Sequence, residues 1–245
     1  MADDYGSTVH SVYLLFNGHK TMKLAALFTG GKDSTYAIYL AKQQGNEITC
    51  LITLNSQNLD SYMFHTPAIE LTELQAEAMN LPIIVQITPG KKEKELTDLK
   101  KAIKLGIKKY KIQGVVTGAV ESIYQASRIQ KICDNLKIEC FNPLWQKDQT
   151  ELMEELLKND FKFILTSVAA EGLSKKWLGK IISLKKFDEL KKLNQKIGIS
   201  ICGEGGEFET LVLDSPLFNK KIKLIKTKIE MDSKHSGRLI IEKAE

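Results

Sequence analysis

The run Leu27-Phe28-Thr29-Gly30-Gly31-Lys32-Asp33-Ser34-Thr35 decides the fold of this chain. The apolar residues 24–28 predict a buried strand, and a helical pattern covers 33–44. Two glycines lie between them, so the strand turns directly into a helix N-terminus. Free backbone N–H groups and the positive end of the helix dipole converge at such a turn, and glycines let a phosphate approach the backbone. The run therefore predicts an anion site.

This loop is not a Walker A motif. Ala26 stands where that motif has its first glycine, and Asp33 follows Lys32 where it has Ser or Thr. The run instead resembles the pyrophosphate loop, Ser-Gly-Gly-x-Asp-Ser, of the N-type ATP pyrophosphatases, with Thr29 in place of the first Ser. Enzymes of that superfamily split ATP between its α- and β-phosphates. The alternative is a plain strand–helix turn, because Gly-Gly and Asp-Ser also suit turns and caps.

The composition is that of an ordinary globular protein. The chain has 245 residues, 43% hydrophobic and 27% charged, and no apolar run approaches the ~20 residues of a membrane helix. Its net charge of +5 comes almost wholly from lysine, since Arg128 and Arg238 are the only arginines. Nucleic-acid binders usually use arginine on phosphates and bases, so this charge does not indicate nucleic-acid binding; it is compatible with docking to an acidic macromolecule.

The cysteines indicate the compartment. Cys50, Cys133, Cys140 and Cys202 form no Cys-x-x-Cys pair, which leaves a zinc ribbon or redox motif unsupported. We expect a cytoplasmic protein.

Residues 1–21 differ from the rest of the chain. Their apolar run, 12–16, is too short for the hydrophobic region and cleavage site of a signal peptide, and Met22 directly precedes the first strand. We interpret 1–21 as a leader, a tag or an upstream extension, with an edge strand at 12–16 as the alternative.

Two domains are predicted. Strands at 24–28, 47–54, 82–88, 114–120 and 138–144 alternate with helices at 33–44, 69–79, 93–110 and 122–136. This alternation predicts an α/β domain over 22–145, with a parallel five-stranded sheet covered by helices on both faces. A smaller α+β domain follows over 146–245. There we expect a helix at 148–158, a strand at 161–168, two helical stretches within 174–196, extended segments at 198–202 and 209–213, and a hairpin of 221–231 with 238–243.

Three further segments carry a second resemblance. Met63-Phe64-His65-Thr66-Pro67 follows the second predicted strand. Gly118-Ala119-Val120-Glu121-Ser122-Ile123-Tyr124-Gln125-Ala126-Ser127-Arg128 follows the fourth. Gly203-Glu204-Gly205-Gly206-Glu207-Phe208-Glu209-Thr210 lies in the second domain. Together with the pyrophosphate loop they resemble the diphthine–ammonia ligase family in its short archaeal form, over residues 22 to about 243.

The resemblance implies both fold and activity. The fold would be the adenine nucleotide α hydrolase type. The family performs the last step of diphthamide synthesis on elongation factor 2. It uses ATP and ammonium to turn the diphthine carboxylate into an amide, through an acyl-adenylate, and releases AMP and pyrophosphate. The chain is too short to hold a separate glutaminase beside these two domains, so free ammonium is the expected nitrogen source. A homodimer is left open.

The resemblance also implies an ATP site. Its residues would be Thr29, Gly30, Gly31, Lys32, Asp33, Ser34, Thr35 and Gly118. The charge of Lys32 would assist the departing pyrophosphate. Asp33 would hold Mg²⁺, a helix cap being the alternative. Gly118 would let the backbone approach the nucleotide, the alternative being a simple turn.

A substrate site is implied as well. Its residues would be His65, Tyr124, Gln125, Arg128, Glu204, Glu207, Phe208, Glu209 and Thr210. The forked donors of Arg128 suit an acyl-phosphate or carboxylate. Carboxylates beside Phe208 or Tyr124 would attract the trimethylammonium group of diphthine. Glu204 or Glu207 could also accept a proton from ammonium. Lys32, Asp33, Arg128, Glu204 and Glu207 are thus the candidate catalytic residues.

Two other functions remain open from the residues. A tRNA-modifying enzyme of the same superfamily, a thiolase or lysidine synthetase, would fit the loop, with Cys133 and Cys140 as a conceivable reactive pair. A non-catalytic ATP sensor would fit it equally well.

Overall fold

The computed structural model describes residues 21–56, 69–89 and 92–245. Nearly all of the predicted leader and the motif around His65 lie outside the described residues.

The first domain is an α/β unit. Its elements are β1 (Lys23–Leu27), α1 (Lys32–Gln43), β2 (Glu47–Ser56), α2 (Ile69–Ala78), β3 (Ile83–Thr88), α3 (Lys92–Tyr110), β4 (Gly114–Val116), α4 (Ile123–Leu136) and β5 (Glu139–Phe141). The five strands form one parallel sheet in the order β3-β2-β1-β4-β5. The predicted five-stranded parallel sheet is confirmed. The chain order reverses between β1 and β4, and ligands bind such sheets at this switch point.

The apolar run of β1 is explained by burial on both faces. Leu24 and Ala26 pack into one hydrophobic cluster, and Ala25 and Leu27 pack into a second cluster on the opposite face. A strand covered on both sides has no polar alternation, which is why residues 24–28 read as continuously hydrophobic. This central strand fixes the position of the loop that follows it.

The second domain is built on an antiparallel sheet. Its elements are α5 (Gln149–Lys158), β6 (Lys162–Ala169), α6 (Leu184–Ile197), β7 (Phe208–Asp214), β8 (Leu224–Met231) and β9 (Ser236–Ala244). The strand order is β7-β6-β9-β8. The predicted hairpin is confirmed, since β8 and β9 pair antiparallel along their lengths.

Two local predictions in this domain were wrong. Only one helix, α6, occupies 174–196. Before it, the chain runs beside β6 through isolated bridges at Leu178 and Ile181, with Gly179 at φ +68°. Residues 198–202 form a loop rather than an extended segment. Side chains instead of a neighbouring strand bind the backbone N–H groups of Ser200 and Cys202.

The two domains share a core. One hydrophobic cluster includes Leu24 and Tyr36 of the first domain and Phe163 and Phe187 of the second. The rings of Tyr36 and Phe161 meet edge to face with centroids 5.3 Å apart. No helix in the described ranges is long and apolar enough to cross a membrane.

Candidate active site

The pyrophosphate loop is shaped by its own hydroxyls. Gly30 has φ +79°, a conformation that favours glycine. The Oγ atoms of Thr29 and Ser34 lie 3.2 Å apart, and the Thr35 hydroxyl donates to the Gly31 carbonyl at 2.8 Å. Gly31 is the N-cap of α1 and makes no side-chain cap bond. These bonds hold the first turn of α1 within the loop, and Gly31, Lys32, Asp33 and Ser34 at the start of this helix line a cavity.

This cavity has a volume of about 420 Å³. Residues of both domains line it, and the first domain contributes apolar side chains from β2, α3 and α4. The predicted site residues in its wall are Thr29, Gly31, Lys32, Asp33, Ser34, Gly118, Gln125, Glu204, Phe208, Glu209 and Thr210. The cavity thus brings the pyrophosphate loop and the glycine-rich acidic turn, Gly203–Glu207, into one site.

Lys32 connects the two domains across this site. Its side chain is only 1% exposed, and its Nζ donates to both carboxylate oxygens of Asp33, at 2.9 and 2.7 Å, and to the Cys202 carbonyl at 2.7 Å. Burial by itself would lower the pKa of Lys32, but the neighbouring Asp33 carboxylate and the Cys202 side chain hold it above its usual value. Its backbone N–H donates to the Thr210 hydroxyl at 3.1 Å. Sequence reasoning missed this contact with the second domain.

Gly118 approaches protein backbone rather than open space. A Cβ placed on it would lie 2.6 Å from the backbone nitrogen of Ser34 and 2.7 Å from the carbonyl carbon of Asp33. A side chain at this position would push the start of α1 away from the end of β4. The close approach observed at Gly118 is to the pyrophosphate loop, and its approach to a nucleotide stays a prediction.

Glu204 lies at the boundary between two cavities. It lines the first cavity and also a second, more open one of about 790 Å³, which shares Ser122 and Gly205 with it. Burial, and next the nearby Asp33 carboxylate, raise the pKa of Glu204 to about 7, although Lys32 opposes the shift. Glu204 therefore changes protonation near neutral pH.

Glu207 organises the acidic turn. Its two oxygens accept the backbone N–H groups of Ser200 at 2.8 Å and Gly205 at 2.9 Å. The Ser200 hydroxyl in turn accepts the Glu204 N–H at 2.9 Å. Of these two cavities Glu207 lines only the second, whereas Glu204 lines both.

Gln149 was not predicted and completes this arrangement. Its Oε1 accepts from the Ser200 hydroxyl at 2.9 Å and from the Cys202 N–H, and its Nε2 donates to Glu121 at 3.0 Å. No motif marks it, because a glutamine beside a helix start is common on surfaces.

Arg128 and Tyr124 form a pair of their own. The guanidinium carbon of Arg128 lies 3.5 Å from the centre of the Tyr124 ring. Neither residue is in the wall of the first cavity, whereas Gln125 on the same helix is. Thr35 also lies outside it, behind the loop. The structure brings Arg128 and Tyr124 together without bringing them to the cavity.

Gln75 was also missed. It is fully buried on α2, and its Nε2 donates to the carbonyl oxygens of Gly30 and Val212. A signal was present, because Gln75 stands four residues after Leu71 and four before Met79, on the apolar stripe of the predicted helix. A polar residue on such a stripe indicates a buried hydrogen-bonding role.

Asp33 is the carboxylate best placed for a cation. It lines the first cavity with its side chain 24% exposed. Over the described part of the chain, no group of three His, Cys, Asp or Glu side chains could hold a metal by itself. One carboxylate fits Mg²⁺ that is bound chiefly through phosphate oxygens and water, which is its usual mode with nucleotides.

Fold and site together define an α/β nucleotide-binding protein with a pyrophosphate loop closed by a second domain. Family models for the diphthamide synthase N-terminal domain and the diphthamide synthase C-terminal domain match residues 22–140 and 148–245. The chain belongs to the diphthamide synthase family.

Relatives of known function agree with this assignment. The chain is 38% identical to the diphthine–ammonia ligase of Mus musculus over 221 residues, which is 82% of each protein. It is 36% identical to that of Homo sapiens over 220 residues, again 82% of each. The Schizosaccharomyces pombe ligase is 35% identical over 219 residues, which is 83% of this chain but 36% of that longer protein.

Proposed function

We propose that this protein is a diphthine–ammonia ligase, which amidates the diphthine carboxylate of elongation factor 2 with ATP and ammonium. One observation carries the proposal. The pyrophosphate loop and the titratable Glu204 of the second domain line the same cavity. Activation by ATP and transfer to nitrogen can therefore occur without the intermediate leaving the site.

The first step is adenylation. A carboxylate oxygen of diphthine attacks the α-phosphorus of ATP, the bond to the β-phosphate bridging oxygen breaks, and pyrophosphate leaves. The N–H groups of Gly30 and Gly31 and the hydroxyls of Thr29 and Ser34 are the donors we assign to the departing group, because the Lys32 N–H already donates to Thr210. The charge of Lys32 lies in the cavity wall and favours the accumulating negative charge.

Mg²⁺ belongs to this proposal as the companion of ATP. Asp33 would hold it, directly or through water, because it is a carboxylate in the cavity wall beside the loop. When bound, the ion neutralises part of the phosphate charge.

The second step is amidation. Ammonia attacks the carbonyl carbon of the acyl-adenylate, the C–O bond to AMP breaks, and the nitrogen loses a proton. Glu204 is the acceptor we assign for the proton of ammonium; it passes this proton to solvent through the open second cavity before it accepts the one released on attack. A base with pKa near 7 is well matched to this work at neutral pH.

The second cavity is the proposed path of the diphthine side chain. Its wall carries Glu121, Asp148, Glu204 and Glu207, whereas its Lys147 is paired with Glu155 at 2.8 Å. This excess of negative charge suits a trimethylammonium cation. Phe208 lies in the wall of the first cavity next to Glu209 and Thr210, and we assign its ring as the aromatic group for this cation.

Arg128 is assigned to the protein substrate. Its planar fork suits a carboxylate or phosphate, and its stacking on Tyr124 holds the guanidinium in place. Because both residues lie outside the ATP cavity, we propose that they meet elongation factor 2 or the acyl-phosphate at the cavity mouth. His65 stays a prediction for the same site.

We propose that the two domains have different roles. Residues 22–145 bind and split ATP, and residues 146–245 supply the acidic turn and the substrate surface. A cytoplasmic location and a homodimer remain predictions from the sequence.

Thiol chemistry gains no support from the cysteines. A hydrogen bond with Cys140, and next burial, raise the pKa of the Cys133 thiol far above its usual value. Burial likewise raises the pKa of Cys202 to about 12. Nucleophilic cysteines need the opposite shift. This weakens the tRNA thiolase alternative.

The deciding experiment follows α-labelled ATP with Mg²⁺ and ammonium, with and without elongation factor 2 that carries diphthine. We expect labelled AMP, and an amide on the partner, only when the partner is present. AMP that forms without the partner would retain the ATP chemistry and redirect the search to another carboxylate. A folded protein that binds ATP and never yields AMP would be a sensor.

A further inference from the structure

We propose that Gln75 is a positioning residue that pre-forms the pyrophosphate loop for the β- and γ-phosphates of ATP. This inference rests on the proposed function. Gln75 is outside the cavity wall and touches no reacting group, so its action is through the loop.

The amide of Gln75 joins three parts of the chain. It lies on α2, is 0% exposed, and its Nε2 donates to the Gly30 carbonyl at 3.0 Å and to the Val212 carbonyl at 2.7 Å. Val212 donates its own N–H to the same Gly30 carbonyl at 3.0 Å. The Gly30 carbonyl therefore has two donors, one from α2 and one from β7 of the second domain.

Fixing this carbonyl orients the next N–H group. In a trans peptide the C=O of one residue and the N–H of the following residue point in opposite directions. The Gly30 carbonyl points at Gln75 and Val212, so the Gly31 N–H points away from them. Gly31 lines the cavity, and this is the direction in which a phosphate would lie. A glycine pair without such a tether would sample many orientations.

The oxygen atom of the Gln75 amide bears on why this position holds a glutamine rather than an apolar residue. Among the described residues, Gln75 Oε1 is buried with no hydrogen-bond partner. It lies 2.3 Å from where a Cβ on Gly30 would be. If the amide were flipped, Oε1 would face the carbonyl oxygens of Gly30 and Val212, which cannot donate to it. These two acceptors therefore fix the orientation of the Gln75 amide. An apolar residue would avoid the unpaired oxygen, and it would lose both bonds to Gly30 and Val212.

Comparing the binding of pyrophosphate with that of AMP distinguishes a positioning role of Gln75 from a purely structural one. Pyrophosphate contacts the loop, while AMP lacks the phosphates that the loop receives. We expect Gln75→Met, which keeps the volume and removes the donors, to weaken pyrophosphate binding about tenfold, the size of one or two lost hydrogen bonds, and to leave AMP binding unchanged. Gln75→Leu should show the same split, because leucine also has no donor.

Leu71→Ala is the matched control. Leu71 lies one turn earlier on α2 and packs against Ile164 and Leu211 without touching the loop. It should lower the melting temperature and leave the ratio of pyrophosphate to AMP affinity unchanged. Equal losses for both ligands in the Gln75 variants, or no loss in either, would overturn the inference.

Hydrogen exchange in the wild-type protein provides a test that needs no variant. The Val212 amide should exchange slowly without ligand, because it is bonded to the pre-formed loop, and fast exchange would contradict the proposal. A wild-type protein that fails to bind pyrophosphate at all would instead count against the ligase function. The two failures are therefore distinguishable.

Discussion

The Nζ atom of Lys32 lies 2.7 Å from the carbonyl oxygen of Cys202, so the lysine of the pyrophosphate loop is bonded to the second domain. The same atom holds the Asp33 carboxylate. One buried cation thus links the start of α1 to the turn that carries Glu204. Loop and turn are parts of a single site rather than neighbours across a cleft.

Lys32→Met should reduce the free energy of unfolding by about 3 kcal/mol. The substitution leaves the Asp33 carboxylate unpaired and the Cys202 carbonyl without its donor, and 3 kcal/mol is at the low end for breaking a buried pair because Asp33 keeps some contact with solvent. Urea unfolding measures the change. Lys228→Met, which breaks an exposed pair with Glu230, should leave the free energy of unfolding almost unchanged. Similar values for both variants would contradict a tether at Lys32.

Gly118→Ala should displace the start of α1. The new Cβ would meet the backbone of Asp33 and Ser34 at less than 3 Å, and backbone cannot yield as a side-chain tip can. We expect ATP affinity to fall at least tenfold and stability to fall by about 1–3 kcal/mol. Calorimetric titration with a non-hydrolysable ATP analogue measures the first.

Gly106→Ala is the control for that substitution. Its Cβ would meet Cδ1 of Ile112 at 3.0 Å and Cδ1 of Ile52 at 3.6 Å, both of them side-chain tips rather than backbone, and alanine favours a helix. This variant should keep wild-type affinity. If Gly118→Ala binds the analogue equally well, the packing of β4 against the loop does not shape the ATP site.

Glu204 should control the pH dependence of amidation. Its pKa is raised to about 7, so below pH 7 the carboxyl keeps its proton and cannot accept another. The amidation rate, corrected for the ammonia present, should fall about tenfold per pH unit below 7. Single-turnover assays between pH 5.5 and 8.5 measure it.

Glu204→Gln should abolish this fall in the amidation rate below pH 7. At pH 8 we expect amidation to be 10²–10⁴ times slower, while exchange of pyrophosphate into ATP continues, since that reaction reports adenylation alone. Glu171→Gln, at an exposed site, is the control and should match the wild type. If the rate of Glu204→Gln still fell below pH 7 as in the wild type, another group would be the proton acceptor.

Arg128→Lys should weaken use of the protein substrate. Lysine keeps the charge but loses the planar fork that stacks on Tyr124, so we expect kcat/KM for the diphthine-bearing partner to fall about tenfold. Pyrophosphate affinity should not change, because Arg128 is outside the ATP cavity. Arg238→Lys, on β9 and exposed, tests whether any loss of arginine has this effect. Equal losses in the two variants would remove Arg128 from the site.

The sequence predicted what short-range patterns encode. The five-stranded parallel sheet followed from apolar strands such as β1 that alternate with helices, and the β8–β9 hairpin followed from alternation around a turn. The loop and the acidic turn were recognisable because each is a contiguous motif. Burial of β1 on both faces makes its pattern unambiguous.

Long-range partners could not be predicted in this way. The sequence marks Lys32 only as a phosphate ligand, and its bond to the carbonyl of Cys202, 170 residues later, is visible only in the structure. The acceptors of Gln75 are 45 and 137 residues away. Residues 174–182 have helix-compatible composition, but bridges to Ile164 and Leu165 keep the chain beside β6. In each case tertiary contacts determine the role.

The bond from the Lys32 amide to the Thr210 hydroxyl spans 178 residues of sequence. During synthesis the ribosome makes the glycine loop early and its partners on β7 last. A nascent chain can fold the parallel sheet while the loop still lacks the contacts that shape it. The ability to hold ATP tightly should therefore emerge late, after β7 has left the exit tunnel, and stalled chains that end before it should bind nucleotide poorly.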